Sequence, residues 1–340
     1  MLAMTPFYPY VVDRRAWIGG DLPDKEDWVV RLPLSAAHRL TERAGALAEC
    51  RRPIDACERK RLFDAELGAL LAAAFTELRD GRGFVVLRGF PVDGVRLETL
   101  KLVLSELGSR LVGGQSQGEL ADVASVAEEA GSKARHGAGD GQLCFHTNVC
   151  DIVALMAVRS ARLGGDSSVA SAFAVHNLFL RERPDLLPAL YRGARNRRRS
   201  AGRPYGAATT ATRRVPVFSI AGRALSLRYA PPYLADDLGA ADDGDSQLVE
   251  AMDALEHYGE RVKTTFRLEP GEVLLLNNLT TLHARSRFED CSEANRKRLL
   301  LRLTLNAKGF RPIDPRLYPS ATVQDSPAVG GHALLRESAA

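Results

Sequence analysis

The feature that most constrains the fold is a series of short apolar segments, bounded by glycine and proline, that extends from about residue 83 to residue 305. Segments of this length, rich in β-branched residues, are typical of buried strands. Many short strands joined by turns indicate a sandwich or jelly roll rather than a doubly wound parallel sheet. We predict strands at residues 83–91, 152–158, 168–172, 215–220, 224–229, 264–268, 273–277 and 298–305.

Helical patterns precede and interrupt these strands. The first 80 residues are predicted to be mainly helical, most clearly at 59–79, where leucine and phenylalanine recur at helical spacing among charged residues. Further helices are predicted at 96–107 and 175–191. The segment 113–141 is polar and rich in glycine, which predicts a long loop of the functional or mobile kind.

The predicted fold class is therefore α+β with a mainly β core. Dividing the length by about 150 residues per domain would suggest two domains, but single β sandwiches and barrels of about 200 residues or more are common. We expect one domain over 1–340, with a helical elaboration at 1–80, the β core at 83–305, an insert near 192–214 and an irregular tail at 306–340.

Composition limits the classes of partner. The chain is 45% hydrophobic and 26% charged, and its net charge of +4 is too small to indicate a nucleic-acid-binding surface. The N-terminus lacks the basic start and apolar run of a secretory signal, and no apolar stretch reaches the ~18 residues of a membrane span. We expect a cytoplasmic protein with a small-molecule substrate and no nucleic-acid or membrane partner. The sequence leaves open whether the protein forms a homo-oligomer.

The five cysteines do not indicate a disulfide framework or a structural zinc site, because they are odd in number and form no C-x-x-C pair. Cys144 and Cys150 flank a histidine, which raises the possibility of metal ligation. Their apolar neighbours favour the role of small buried hydrophobic residues.

An arginine-rich segment begins at residues 195–199 and continues through Arg203, Arg213 and Arg214. It lies among glycine, serine, threonine and alanine without periodicity, which is typical of a solvated loop. Clustered guanidiniums also hold carboxylates and phosphates through paired hydrogen bonds. A lid that attracts an anionic substrate is therefore the alternative interpretation.

Two histidine segments point to a non-haem metal centre. His146 and Asn148 are two positions apart, so in an extended segment both side chains would lie on one face and bind one ion. His283 follows the apolar strand predicted at 273–277, where it would face the interior of the β core.

Two further motifs point to an anion beside that centre. Arg298 and Arg302 are four positions apart, so both would lie on one face of an otherwise apolar strand. Inward guanidiniums are costly unless they meet an anion. The turn at 164–167 ends in Ser167, whose hydroxyl would add a donor to the same anion.

The order of these motifs carries a resemblance. The segments 145–155, 164–167, 277–290 and 298–302 resemble the taurine dioxygenase and clavaminate synthase-like superfamily of iron(II)- and 2-oxoglutarate-dependent oxygenases. The resemblance extends over roughly 83–305. It implies a double-stranded β-helix, that is, a jelly roll with flanking helices, and a requirement for Fe(II), 2-oxoglutarate and O₂.

The resemblance also implies roles for individual residues. His146 and His283 correspond to the two iron-binding histidines. Arg298 corresponds to the arginine that binds the distal carboxylate of 2-oxoglutarate, and Ser167 to the hydroxyl residue that assists it. Arg302 corresponds to a second arginine that reaches the substrate or the cosubstrate. Two imidazoles and one oxygen ligand would leave open positions on iron for an oxoacid and O₂.

Asn148 departs from the family pattern, which has a carboxylate iron ligand at this position. An amide oxygen is neutral and should hold iron(II) less tightly. Three hypotheses stay open: Asn148 ligates iron weakly, it leaves a position for water or a halide as in halogenating relatives, or the site binds without turnover. Asp151 is not expected to replace the carboxylate, because its spacing from His146 places it on the opposite side of an extended strand.

Two classes of function follow. The leading hypothesis is an oxygenase that hydroxylates a small polar, anionic or amino-acid-like substrate and releases succinate and CO₂, with desaturation, cyclisation or halogenation as alternative outcomes. The second is a catalytically silent binding or regulatory relative, which Asn148 alone suggests. A nucleic-acid role is disfavoured, because the arginine-rich segment lacks interleaved aromatic residues that would stack on bases.

Overall fold

The computed structural model describes residues 8–50, 55–112, 119–124, 141–197, 211–229, 246–307 and 309–317. The α-helices in these ranges are α1 (Leu34–Glu49), α2 (Ala56–Lys60), α3 (Ala65–Asp80), α4 (Leu97–Leu111), α5 (Ala172–Glu182), α6 (Leu187–Arg192) and α7 (Ser246–Val262). Within the same ranges, none of the helices combines the length and the apolar character needed to cross a membrane.

The strands are β1 (Val29–Arg31), β2 (Phe84–Arg88), β3 (Glu119–Ala124), β4 (Leu143–His146), β5 (Ile152–Arg159), β6 (Leu163–Gly164), β7 (Ser167–Ser171), β8 (Ala194–Arg197), β9 (Ala211–Val215), β10 (Phe218–Ala221), β11 (Ala224–Leu227), β12 (Thr264–Phe266), β13 (Glu272–Asn277), β14 (Thr281–Arg285), β15 (Phe288–Glu289) and β16 (Leu299–Leu305). A six-stranded sheet has the order β1-β2-β13-β5-β16-β3, and a four-stranded sheet has the order β12-β7-β14-β4. Neighbouring strands pair antiparallel in both sheets, apart from the parallel pair β1 and β2. The predicted fold class, α+β with a jelly-roll core and flanking helices, is confirmed.

Side-chain alternation along β16 assigns the two faces of the six-stranded sheet. Leu301, Leu303 and Leu305 pack in one apolar cluster with residues of α1, α3 and α4. Leu300 packs in a second cluster, which joins the inner faces of both sheets. Arg302 is two residues from Leu300 in a regular stretch of the ladder, so its side chain points between the sheets.

The four-stranded sheet is divided in the same way. Phe145 and Leu282 pack in a third cluster, with residues of α5, α6 and α7, on the outer face. Val169 of β7 packs in the cluster between the sheets. His146 and His283 follow Phe145 and Leu282 directly, so alternation turns both imidazoles towards the interior.

The N-terminal part differs from its prediction in two places. Residues 29–31 form β1, which pairs with β2, within a part that was predicted to be mainly helical. The helix predicted at 59–79 is interrupted, because α3 begins after Asp64, whose carboxylate accepts a hydrogen bond from the Leu67 amide at 3.2 Å. A capping carboxylate satisfies a backbone donor at a helix start. This local bond outweighs the apolar periodicity that predicted one helix.

Proline and long-range pairing account for further corrections. The helix predicted at 175–191 is divided at Pro184 into α5 and α6, and the strand predicted at 215–220 is divided at Pro216 between β9 and β10. Proline lacks the amide donor that either element would need. Residues 119–124, which were predicted to be part of a long loop, form β3 by pairing with β16. The rest of that predicted loop lies outside the described residues.

The arginine-rich segment is only partly described. Its two ends form the antiparallel pair β8 and β9, so the prediction of a loop is wrong there. Residues 198–210, with Arg203, lie outside the described residues, and the lid stays a hypothesis. Of the tail predicted at 306–340, the structure describes residues as far as 317.

Candidate active site

The two histidines lie directly opposite each other on neighbouring strands. His146 ends β4 and pairs with His283 of β14. Their ring centroids are 4.2 Å apart and the rings are inclined by 52°. Each residue is 9% exposed. The structure therefore brings together two imidazoles that are 137 positions apart in the sequence, on the inner face of the four-stranded sheet.

Both imidazoles are held neutral. Burial lowers the pKa of His146 below its usual range. Burial, and then electrostatic repulsion from His146 and Arg302, hold the pKa of His283 well below its usual range. The Nδ1 atom of His146 lies 3.0 Å from the Cys144 carbonyl oxygen, so this nitrogen carries the proton and Nε2 keeps its lone pair. A histidine fixed in this way is a typical metal ligand.

Strand alternation was predicted to set the position of Asn148. Asn148 instead lies beyond the end of β4, and a side chain from another loop holds its backbone. Its amide donates to Oδ1 of Asn278 at 3.0 Å, and Nδ2 of Asn278 donates back to the Asn148 carbonyl. Nη1 of Arg228 donates to the same carbonyl at 2.8 Å. The side-chain oxygen of Asn148 is buried and has no hydrogen-bond partner among the described residues.

Arg302 lies within electrostatic reach of both histidines, whose pKa values its charge lowers. Its Nε atom is buried and has no hydrogen-bond partner in the part of the chain that the structure describes. A buried guanidinium donor without an acceptor is costly, and an anionic ligand would remove that cost. Arg302 is therefore placed to bind an anion beside the two histidines.

Arg298 is 5% exposed and precedes β16. The sequence predicted that alternation would place Arg298 and Arg302 on one face of the strand. The ladder shifts register between Leu299 and Leu300, so alternation does not place Arg298 on that face. Its amide donates to the Asp290 carboxylate at 2.7 Å. Burial, and then the charge of Arg285, lower the pKa of Arg298 to about 10.

The Gly-Gly-Asp-Ser turn lies against Arg298, as the anion hypothesis requires. Gly165 has a φ of +77°, and a Cβ atom there would be 3.4 Å from the Arg298 Nε atom and 3.3 Å from the Phe288 Cβ atom. The positive φ favours glycine at this position, and the resulting turn lies beside the guanidinium. Ser167 begins β7 and is 8% exposed, at the end of the turn.

Arg285 is a site residue that the sequence argument missed. It lies two positions after His283 on β14 and pairs with Ser167 across the sheet. The carbon centres of the Arg285 and Arg298 guanidiniums lie 4.8 and 5.0 Å from the Phe288 ring centroid. The only sequence signal was its even spacing from His283.

The residues present fit a metal ion with nitrogen and oxygen ligands. Two neutral imidazoles face each other, and two positions along the chain from His146 lies an amide oxygen that has no hydrogen-bond partner among the described residues. The described residues contain no cluster of three or more histidine, cysteine and acidic side chains that could hold a metal. That is expected where the third ligand is an amide. Such a site suits iron(II), although less well than one with a carboxylate.

Asp151 and Cys150, which lie close to Asn148 in the sequence, are poorly suited to bind the ion. The Asp151 carboxylate accepts a hydrogen bond from the Ala307 amide at 2.7 Å, which agrees with the expectation that it does not replace the missing ligand. Cys150 is buried, and burial raises the pKa of its thiol to about 12, which disfavours the thiolate that a metal would need.

Comparisons with known proteins identify relatives, structures of the same fold and a family. The chain is 28% identical over 313 residues to FR-33289 synthase of Streptomyces rubellomurinus, covering 88% of this chain and 91% of that protein. It shares its fold with asparagine oxygenase crystallised with Fe(II), 2S,3S-3-hydroxyasparagine and succinate, with a TM-score of 0.60, 21% identity, and coverage of 82% and 93% of the two chains.

A second solved structure has the same fold. It is the non-heme iron oxygenase OrfP in complex with Fe and alpha-ketoglutaric acid, with a TM-score of 0.59, 16% identity, and coverage of 83% of this chain and 95% of that one. A protein-family model matches residues 52–304, which is most of the chain and includes every candidate site residue. The chain belongs to the family described as Taurine catabolism dioxygenase TauD, TfdA family.

Proposed function

We propose that the protein is an iron(II)- and 2-oxoglutarate-dependent oxygenase that hydroxylates a small anionic, amino-acid-like substrate. One substrate C–H bond, O₂ and 2-oxoglutarate would give one hydroxyl group, succinate and CO₂. The observation that carries the proposal is the pair of neutral histidines, His146 opposite His283, near Arg302, whose Nε atom has no acceptor in the part of the chain that the structure describes. Membership of the dioxygenase family supports the reaction class.

The metal would be held by His146, through Nε2, and His283, with the side-chain oxygen of Asn148 as the third ligand. Iron in this position would supply the activation of O₂. The protein contributes the geometry: the Cys144 carbonyl orients His146, and the bonds to Asn278 fix the backbone of Asn148. Apolar side chains between the two sheets exclude water from this part of the core.

The anions would be bound by arginines. Arg298 would bind the distal carboxylate of 2-oxoglutarate, with the hydroxyl of Ser167 as an additional donor, because a guanidinium matches a carboxylate with two parallel hydrogen bonds. Arg302 would bind the proximal part of the cosubstrate or an acidic group of the substrate. An amino-acid-like substrate is supported by the relatives, since one structure contains hydroxyasparagine and another OrfP structure contains (3S)-hydroxy-L-Arg.

Asn148 favours a second candidate, a silent relative that binds 2-oxoglutarate without turnover. The two functions differ in whether succinate forms. We would incubate the protein with Fe(II), ascorbate, 2-oxoglutarate and a panel of amino acids and small phosphonates or sulfonates, and measure succinate. Succinate release that depends on iron and is stimulated by a panel member supports the oxygenase. Release without any metal would contradict it, and a silent protein that Asn148→Asp activates would favour the second candidate.

A further inference from the structure

Among the residues that the structure describes, the strand that carries His146 lies at the edge of its sheet, and two groups outside the sheet accept hydrogen bonds along that edge. Within these residues β4 pairs with β14 alone, so alternate amides of β4 need other acceptors. The Phe145 amide donates to Oε1 of Glu256 at 3.1 Å, and the Thr147 amide donates to the Tyr229 carbonyl at 2.8 Å. These two hydrogen bonds lie on either side of His146.

Glu256 belongs to α7, which covers the outer face of the four-stranded sheet. Phe145 packs there with Leu255 and Tyr258 of α7. Gly259 follows Glu256 by three residues, and a Cβ atom at Gly259 would lie 2.9 Å from the Phe145 ring. The helix therefore contacts Phe145 in two ways. Glu256 accepts a hydrogen bond from its amide, and Gly259 leaves room for its ring. Because Phe145 directly precedes His146 in β4, this contact also fixes the backbone position of His146.

The Glu256 carboxylate is costly where it stands. It is half-buried, and burial raises its pKa. Its second oxygen, Oε2, is buried without a hydrogen-bond partner in the ranges that the structure describes. An unsatisfied buried carboxylate oxygen destabilises the fold. One oxygen of Glu256 therefore carries a cost, and the other satisfies an amide of the strand that carries His146.

We infer that Glu256 is a positioning residue for the metal site: its hydrogen bond to the Phe145 amide holds the strand so that His146 faces His283 in the geometry that binds the ion. The inference rests on the proposed function, since it assumes a metal at the two histidines. Residues that orient metal ligands typically contribute about 10- to 100-fold to metal affinity or activity. Glu256 acts through the backbone of a neighbour, so we expect the lower end of this range.

The test is an anaerobic Co(II) titration of the full chain, followed by the visible absorption of the bound ion, with the melting temperature of the metal-free protein measured in parallel. We expect Glu256→Ala to weaken Co(II) binding about tenfold per folded molecule. Glu256→Gln keeps an oxygen acceptor and should stay within about threefold of wild type. Asp253→Ala is the matched control, because Asp253 is an acidic residue exposed on the same helix.

The outcomes separate this inference from the proposed function. Wild-type affinity in a folded Glu256→Ala variant would overturn the inference, as would equal losses in the alanine and glutamine variants. If the alanine variant does not fold, Glu256→Leu fills the same space without an acceptor and should show the tenfold loss. No Co(II) binding by the wild type would overturn both proposals, whereas normal Co(II) binding without succinate release would count against the oxygenase alone.

Discussion

Replacing Asn148 by aspartate should strengthen the iron site. The two side chains have nearly the same shape, and the Asn148 side-chain oxygen is buried with no partner among the described residues, so Asn148→Asp needs no repacking. The new carboxylate would lie near the ion, on a residue whose backbone carbonyl already accepts a hydrogen bond from Nη1 of Arg228 at 2.8 Å. Its negative charge would therefore be stabilised both by the metal and by a cation of the protein.

The expected gain follows from these charges. Unit charges about 4 Å apart interact with about 4 kcal/mol at an effective dielectric constant of about 20. Removing the carboxylate from water offsets part of this gain. We expect a net gain of about 1.4 to 2.8 kcal/mol, which is about 10- to 100-fold in the Kd for Fe(II).

The assay is an anaerobic competition for Fe(II) between the protein and a chromogenic chelator. Asn148→Ala is the matched variant, because it removes the oxygen without adding charge, and it should bind Fe(II) more weakly than the wild type. An aspartate variant that binds no more tightly than the wild type would refute the reasoning. In that case the side chain at 148 would not be a ligand, and the two histidines would bind the ion alone.

Three further changes test other parts of the account. Arg298→Lys should raise the KM for 2-oxoglutarate about tenfold or more, because an ammonium cannot form the paired hydrogen bonds of a guanidinium; an unchanged KM in steady-state kinetics would contradict its assigned role. Glu272 is 1% exposed and pairs with Lys25 at 2.9 Å and Arg88 at 2.6 Å. Glu272→Ala should therefore lower the free energy of unfolding by about 2 kcal/mol, measured in urea, since Lys25 and Arg88 lose their charge-assisted bonds to a buried carboxylate while Arg88 keeps its pair with Glu26; a loss below about 0.5 kcal/mol would speak against this network. Burial raises the pKa of Asp151 from 3.8 to about 6, so the folded state holds this proton more tightly than the unfolded state. Stability from this group is greatest below pH 4 and falls as the pH rises to 6, and Asp151→Asn should flatten that part of the urea stability profile.

The sequence predicted best the parts of the fold that are buried on both faces. Residues 152–158 and 273–277 are apolar almost throughout, because they form the central strands β5 and β13, and both were placed within a residue or two. The edge strand at 119–124 was missed, because it owes its conformation to pairing with β16 rather than to its own composition. A new helix begins after Asp64 where the apolar period had predicted one continuous helix, because capping is a local hydrogen bond that periodicity does not report.

The sequence also predicted part of the candidate site. The motifs indicated His146 and His283, and the structure places them opposite each other. Asn278 and Glu256 were not identified, since their importance comes from hydrogen bonds to residues more than 100 positions away. Such partners follow from the pairing of distant strands and helices, which a single sequence does not specify.

The central claim is that two histidines and Asn148 assemble an iron centre that accepts 2-oxoglutarate. The most direct test is to add Fe(II) and 2-oxoglutarate to the wild-type protein without oxygen and record the visible spectrum. We predict the weak charge-transfer band of an oxoacid chelated to protein-bound iron, and its loss in His283→Ala. The absence of the band in the wild type, with its appearance in Asn148→Asp, would contradict the claim and identify asparagine as the change that disables the iron site.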